Sequence, residues 1–272
     1  MRSGALSFDE YLYSPLWAYG TPSAGDPNQT LPYVTVVNTE DDSHYRLHWY
    51  PNRTGPQYSR PNWRIENHEF SGPYERYWGA VDGGNGKIYG IPYGAERVLI
   101  IDTLVDSIFQ SAEVVSGGAD PLTQTDFGKN PVFHKFSGGT RSSYNDMIYC
   151  FPRLGKTILK INTNNDSITE IALPSPIDTF SSKSFGCVEG SDGKIYSVPW
   201  QFQLDQFGNK KVHMFVLDPR DDSIEVIDLS DLINEENLGQ ENLFYAYGAS
   251  HRNKIYFAPF WASKMLVIDL IE

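Results

Sequence analysis

One short motif recurs five times along this chain. Such recurrence limits the fold to architectures assembled from copies of a single supersecondary unit. The clearest pair is Gly86-Lys87-Ile88-Tyr89-Gly90-Ile91-Pro92 and Gly193-Lys194-Ile195-Tyr196-Ser197-Val198-Pro199. Further copies are Asn253-Lys254-Ile255-Tyr256-Phe257-Ala258-Pro259 and Asp146-Met147-Ile148-Tyr149-Cys150-Phe151-Pro152. Glu10-Tyr11-Leu12-Tyr13-Ser14-Pro15 is the fifth, one residue out of register at its proline. Each copy is followed by an apolar run ending in Asp or Asn: Val34–Asn38, Val98–Asp102, Ile158–Asn162, Met214–Asp218 and Met265–Asp269. In the first four copies a serine follows that Asx residue (Ser43, Ser107, Ser167, Ser223), usually within Asp-Ser-Ile. Ahead of each motif stands a pair of small residues: Gly4-Ala5, Gly79-Ala80, Gly138-Gly139, Gly186-Cys187 and Gly248-Ala249.

Short β-rich runs separated by Gly, Asn and Asp turns read as strands. Each repeat is therefore four strands: A with the small pair, B with Ile-Tyr, C with the apolar-Asx run, D with Ser-Ile. The fold expected is all-β, one closed five-bladed β-propeller over residues 1–272, with repeats near 3–50, 76–115, 133–174, 183–230 and 243–272. The small residues of strand A suit the crowding of innermost strands around a central axis. The recurring Asx suits a tight turn, where its side chain bonds the backbone two residues on. The fifth repeat runs only through Lys264–Leu270 before the sequence stops at Glu272. Its blade is expected to be three-stranded, leaving Met265, Leu266, Val267 and Ile268 as an apolar edge for a partner chain or a second copy.

The strings Lys87–Pro92, Val98–Thr103 and Asp106-Ser107-Ile108 resemble the YVTN-type β-propeller repeat, and more loosely the kelch blade. The resemblance covers nearly the whole chain apart from the loop at 50–73. It implies a propeller without specifying an activity, since such folds serve as structural, interaction and sugar-binding proteins as well as enzymes.

The spacings distinguish the two ends of the repeat. Gly to Tyr, across the A–B turn, is 9, 10, 11, 10 and 8 residues, and Asx to Ser, across C–D, is always 5. Tyr to Asx, across B–C, is 25, 13, 13, 22 and 13, and Ser to the next Gly is 36, 31, 19 and 25. All length variation falls at one end, where binding residues on a rigid scaffold are usually found. Directly after strand B stand Trp17, Tyr93, Arg153, Trp200 and Phe260-Trp261, and the connection 50–76 adds Trp63. Such aromatics suit sugar rings or a partner's apolar anchors, or else they pack beneath their own loops.

Catalytic and metal-site patterns are absent from the sequence. The six histidines show no metal spacing, and His44 and His48, four apart on a strand, stand about 13 Å apart. Two cysteines, Cys150 and Cys187, cannot make a four-thiolate site and read as buried, inert thiols. Strand A offers the acids Asp82 and Glu189, both at the tight-turn end. A glycan hydrolase needs two carboxylates together at the channel mouth. No cofactor or metal is expected.

A net charge of −12 argues against nucleic acid as a partner. No apolar run reaches the length of a membrane helix. The first ten residues show no signal-peptide core, so the sequons at Asn28, Asn52 and Asn165 read as chance. A reducing intracellular compartment or an assembled particle fits these features. The function expected is a non-catalytic interaction or structural module, with a protein partner or homo-oligomer. A carbohydrate-binding propeller is the alternative, and a glycan-active hydrolase or lyase ranks third.

Overall fold

The computed structural model describes residues 5–6, 11–14, 33–38, 40, 43–48, 77–93, 95, 97–105, 107–110, 135–175, 183–200, 203–204, 207, 210–231 and 245–270. Every regular element among them is a strand, and the sheets are antiparallel meanders. The chain divides into two compact units, Met1–Val114 and Val115–Glu272.

The first unit holds two four-stranded sheets. One contains β1 (Ala5–Leu6), β2 (Tyr11–Ser14), β3 (Tyr33–Asn38) and β4 (His44–His48), in that order. The other contains β5 (Tyr77–Asp82), β6 (Lys87–Pro92), β7 (Leu99–Asp102) and β8 (Ser107–Gln110). They meet where Val36 of the first packs among Tyr77, Ile88, Leu99 and Ile101 of the second.

The second unit continues the pattern with β9 (Thr140–Arg141), β10 (Ile148–Cys150), β11 (Thr157–Ile161) and β12 (Ile168–Ala172) as its first sheet. Next come β13 (Ser184–Glu189) and β14 (Ile195–Pro199). The long connection after Trp200 carries a hairpin of its own, β15 (Gln203–Leu204) with β16 (Lys210–Lys211). The strands β17 (His213–Asp218) and β18 (Ser223–Asp228) complete that sheet. The last sheet has three strands among the described residues: β19 (Tyr245–His251), β20 (Lys254–Pro259) and β21 (Leu266–Asp269).

The Ile-Tyr motif has a packing explanation. Neighbouring residues on a strand point to opposite faces, so Ile and Tyr serve the two sides of one sheet. Ile148–Ile161, Ile195–Leu217 and Ile255–Ile268 are cross-strand pairs on one side. Tyr149–Lys160, Tyr196–Val216 and Tyr256–Val267 are the pairs on the other. Consecutive sheets then interlock. Ile195, Phe215 and Leu217 pack against Tyr149, Phe151 and Ile158 of the preceding sheet. Ile255 and Phe257 pack against Val188, Tyr196, Val198 and Val216 in the same way. Each fully buried Ile or Phe contributes about 1.5–3 kcal/mol, so the sheets cohere through their faces.

The tight turns lock this stack. The expected Asx role is met in four repeats: Asn38, Asp102, Asn162 and Asp218 each accept from the backbone N–H two residues on. The Tyr hydroxyls reach the A–B turns, where Asn85 and Asn145 donate to Tyr89 and Tyr149, and Tyr196 donates to Asp192 at 2.7 Å. Contacts also bridge sheets. Lys160 pairs with Asp222 at 2.6 Å, and Asn145 donates to the Pro219 carbonyl.

The small residues of strand A answer two demands. Gly79, Gly138 and Gly186 have φ of 86°, 101° and 98°, a region costly for residues with a Cβ. Gly79 and Gly186 lie where the A–B register slips by a bulge. Crowding is the second demand: a Cβ on Gly248 would stand 2.6 Å from the Val188 side chain, and one on Gly186 3.3 Å from the Ser137 carbonyl oxygen. Ser137 also donates to the Ser184 carbonyl between these strands. Gly186→Ala should lower unfolding free energy by about 1–3 kcal/mol. Gly193→Asn, at φ 77° with open space around it, should change it far less. Urea midpoints at constant m-value check both.

His213 at the start of β17 generates a pH prediction. Burial lowers its pKa below the ordinary 6.5; Asp228 opposes this and Lys211 adds to it. The unfolded chain therefore takes up the proton first, and stability falls as pH drops through 6.5. Asp228 does not confuse that window. Burial would raise it, but hydrogen bonds from Ser230 and Lys211 hold it at about 2. Thermal melts from pH 7.5 to pH 5 should show a falling Tm, and His213→Gln should flatten the slope.

Candidate binding site

The ends of the B strands and the starts of the A strands lie at the same end of each sheet, as the pairs Ser184–Pro199 and Tyr245–Pro259 show. In the second unit this end gathers a continuous aromatic cluster. Trp200, next to β14, stacks on Phe185 of β13 with centroids 4.2 Å apart and planes 18° apart. Arg153, which follows β10, lays its guanidinium 5.3 Å from the Trp200 ring and 5.4 Å from Phe185. Phe260, after β20, stands 5.5 Å from Trp200, and Trp261 meets Phe260 edge-on at 84°. Tyr247 of β19 completes the group, 6.0 Å from Phe185.

Burial separates a base from a platform. Trp200 is 5% exposed and Phe185 is also buried, while Tyr247, Phe260 and Trp261 are 48%, 53% and 49% exposed. The base is held by backbone. The Arg153 N–H donates to the Lys135 carbonyl, and the Arg153 carbonyl accepts from the Lys183 N–H at 2.7 Å. The Ser184 hydroxyl donates to the Pro152 carbonyl, tying β13 to the turn that carries Arg153.

Of the residues singled out in the sequence, Arg153, Trp200, Phe260 and Trp261 are thus brought together. Tyr93 belongs to the other unit, where it is buried and lies 5.2 Å from Trp78. Its ring packs inside rather than facing out, because a neighbouring aromatic covers it. Trp17, Trp63 and the connection 50–76 lie outside the described residues. Phe185 and Tyr247 went unrecognised in the sequence, although a signal existed. An aromatic immediately precedes the glycine of strand A in Trp78-Gly79, Phe185-Gly186 and Tyr247-Gly248. Two of these, Trp78 and Phe185, meet the residue just after strand B of their own sheet, Tyr93 and Trp200.

The opposite, tight-turn end has its acids engaged. Glu189 accepts from both the N–H and the hydroxyl of Ser143, and Asp82 accepts from the Gly84 N–H. Burial pushes the Cys187 thiol up to about 12 and the buried Cys150 thiol well above its usual value. Both shifts favour the neutral thiol over the reactive thiolate. Among the described residues no group of three His, Cys, Asp or Glu could hold a metal ion. Among the described residues no helix is long and apolar enough to cross a membrane.

No protein-family model matches the sequence, and no curated protein matches it. Solved structures do share its fold. Virginiamycin B lyase from Staphylococcus aureus aligns with 88% of this chain at TM-score 0.52 and 14% identity. The RRP9 WD40 repeats align with all of it at TM-score 0.50 and 8% identity. The fold is of the β-propeller kind. The chain spans 59% and 61% of the lengths of those two proteins. One neighbour is an enzyme and the other a repeat domain, so the likeness carries the fold alone.

The base and the platform should respond differently to truncation. Trp200→Ala removes a buried ring and should cost about 3–5 kcal/mol. Trp261→Ala, half exposed at the rim, should cost under about 1 kcal/mol. Denaturant unfolding of the two variants measures the contrast.

Proposed function

We propose that the five repeats are blades of one propeller acting as a non-catalytic interaction module, which holds a protein partner on the platform of Tyr247, Phe260 and Trp261. The observation that carries this reading is the half-exposed aromatic group seated on a rigid Arg153–Phe185–Trp200 base. Aromatic anchors with an adjoining Arg are the residues that dominate protein interfaces. Large apolar rings open to solvent mark interaction sites.

The geometry favours a protein anchor over a sugar. A pyranose stacks on one flat aromatic face, whereas Phe260 and Trp261 stand at 84° and form a corner. A corner suits an inserted aliphatic or aromatic side chain. Catalysis is less well supported, because the acids of strand A lie at the tight-turn end, bonded to Ser143 and Gly84.

Affinity capture with the wild-type chain and with Phe260→Ala/Trp261→Ala as baits, read by mass spectrometry, tests the proposal. A specific protein should be retained by the wild type, and its affinity should fall at least about 5-fold with Trp261→Ala alone. A partner that ignores both substitutions but is lost on altering the turn at Asp192 would place the working surface at the other end. Retention of a defined glycan instead of a protein would favour the carbohydrate reading.

A further inference from the structure

The rings of the aromatic platform stand at steep angles to their neighbours. Phe260 lies at 44° to Trp200, Trp261 at 84° to Phe260, and Tyr247 at 77° to Phe185. All of these residues belong to the second unit. Rings tilted in this way leave wedge-shaped slots between them instead of one flat plate. Such a slot takes a compact aliphatic ring edge-on. Its floor is fixed, because Phe185 and Trp200 beneath it are buried and stacked on each other.

The polar tips of these rings are donors. The Tyr247 hydroxyl and the Trp261 indole N–H make no hydrogen bond to any described residue, and both side chains are about half exposed. An indole N–H only donates, a phenol hydroxyl donates and accepts, and Phe260 has no polar atom. The three side chains therefore present apolar faces and donors. An ordinary extended peptide brings as many N–H groups as carbonyls, and these rings leave most of its N–H groups without an acceptor.

A proline-rich segment matches both properties. It adopts the polyproline II conformation, which has no internal hydrogen bonds, so its carbonyls are free to accept. Its prolines carry no N–H to leave unsatisfied. The pyrrolidine ring is compact and apolar, and aromatic-lined grooves are where such segments dock. The segment is also ordered before it binds, which reduces the entropy lost on docking. The net charge of −12 favours a segment with Lys or Arg beside its prolines.

We propose that the platform of Tyr247, Phe260 and Trp261 holds a proline-rich segment of the partner in the polyproline II conformation. Prolines enter between the rings, and the segment's carbonyls accept from the Trp261 indole N–H and the Tyr247 hydroxyl. This names the class of partner for the surface described under the proposed function, and it rests on that reading.

Isothermal titration calorimetry of the full chain with a lysine-flanked polyproline peptide tests this. A glycine–serine peptide of equal length and charge is the control. The proline peptide should bind saturably and the control should not. Trp261→Ala should weaken the binding at least about 5-fold. Trp261→Phe and Tyr247→Phe keep a ring and remove a donor, and each should weaken it at least about 2-fold. Both are conservative changes at half-exposed positions, so the fold is retained even if Trp261→Ala disturbs it. Failure of the proline peptide to saturate, equal binding of the control, or unchanged affinity in all three variants overturns the proposal. If the proline peptide fails while a captured protein still depends on Trp261, the platform remains a protein-binding surface and this inference alone falls. If capture is also indifferent to Trp261, both fall together.

Discussion

Face-to-face packing between successive sheets is the interaction on which the rest of this structure depends. Each repeat is a narrow meander that cannot bury its own apolar side chains, so its stability comes from its neighbours. The Ile of the Ile-Tyr motif looks to one neighbour and the Tyr to the other. In the second unit, Ile195 and Ile255 on the inward faces meet Tyr149 and Tyr196 on the outward ones. Hydrogen bonds between sheets set how closely they approach, as in the Lys160–Asp222 contact at the tight turns and the Ser137–Ser184 contact at the other end.

That packing also explains the difference between the two ends of the sheets. Turns that carry inter-sheet bonds cannot change length without breaking them, and the C–D turn keeps one spacing in four repeats. At the opposite end the inter-sheet bonds join Ser184 to Pro152 and Lys183 to Arg153 at the strand ends, and the connections beyond them vary in length. There the chain inserts a hairpin at β15–β16 and places aromatics directly after the B strands. The bulges at Gly79 and Gly186 belong to this arrangement, since a bulge re-aims the side chain beside it. Trp78 and Phe185, the residues beside those glycines, meet Tyr93 and Trp200.

The last sheet shows what the same packing rule leaves open. Its residues keep the repeat's pattern, with Tyr256 and Val267 where Tyr196 and Val216 stand one repeat earlier. Identical chemistry is buried in one sheet and exposed in the next.

The sequence by itself determined the repeat, the strand order and the roles of residues that act within one repeat. The Asx of strand C bonds the backbone two residues away, and Ile and Tyr alternate across one strand, so local geometry suffices to read them. The long connection after Trp200 was legible in the spacing between Tyr196 and Asp218. Tertiary structure decided what depends on groups far apart in the chain. Tyr93 and Trp200 are buried, while Phe260 and Trp261, at equivalent positions after strand B, are open. Arg153 reaches Phe185 and Trp200 of the next sheet, 32 and 47 positions along the chain. No local pattern encodes these outcomes, because burial of a side chain is set by whichever sheet packs against it.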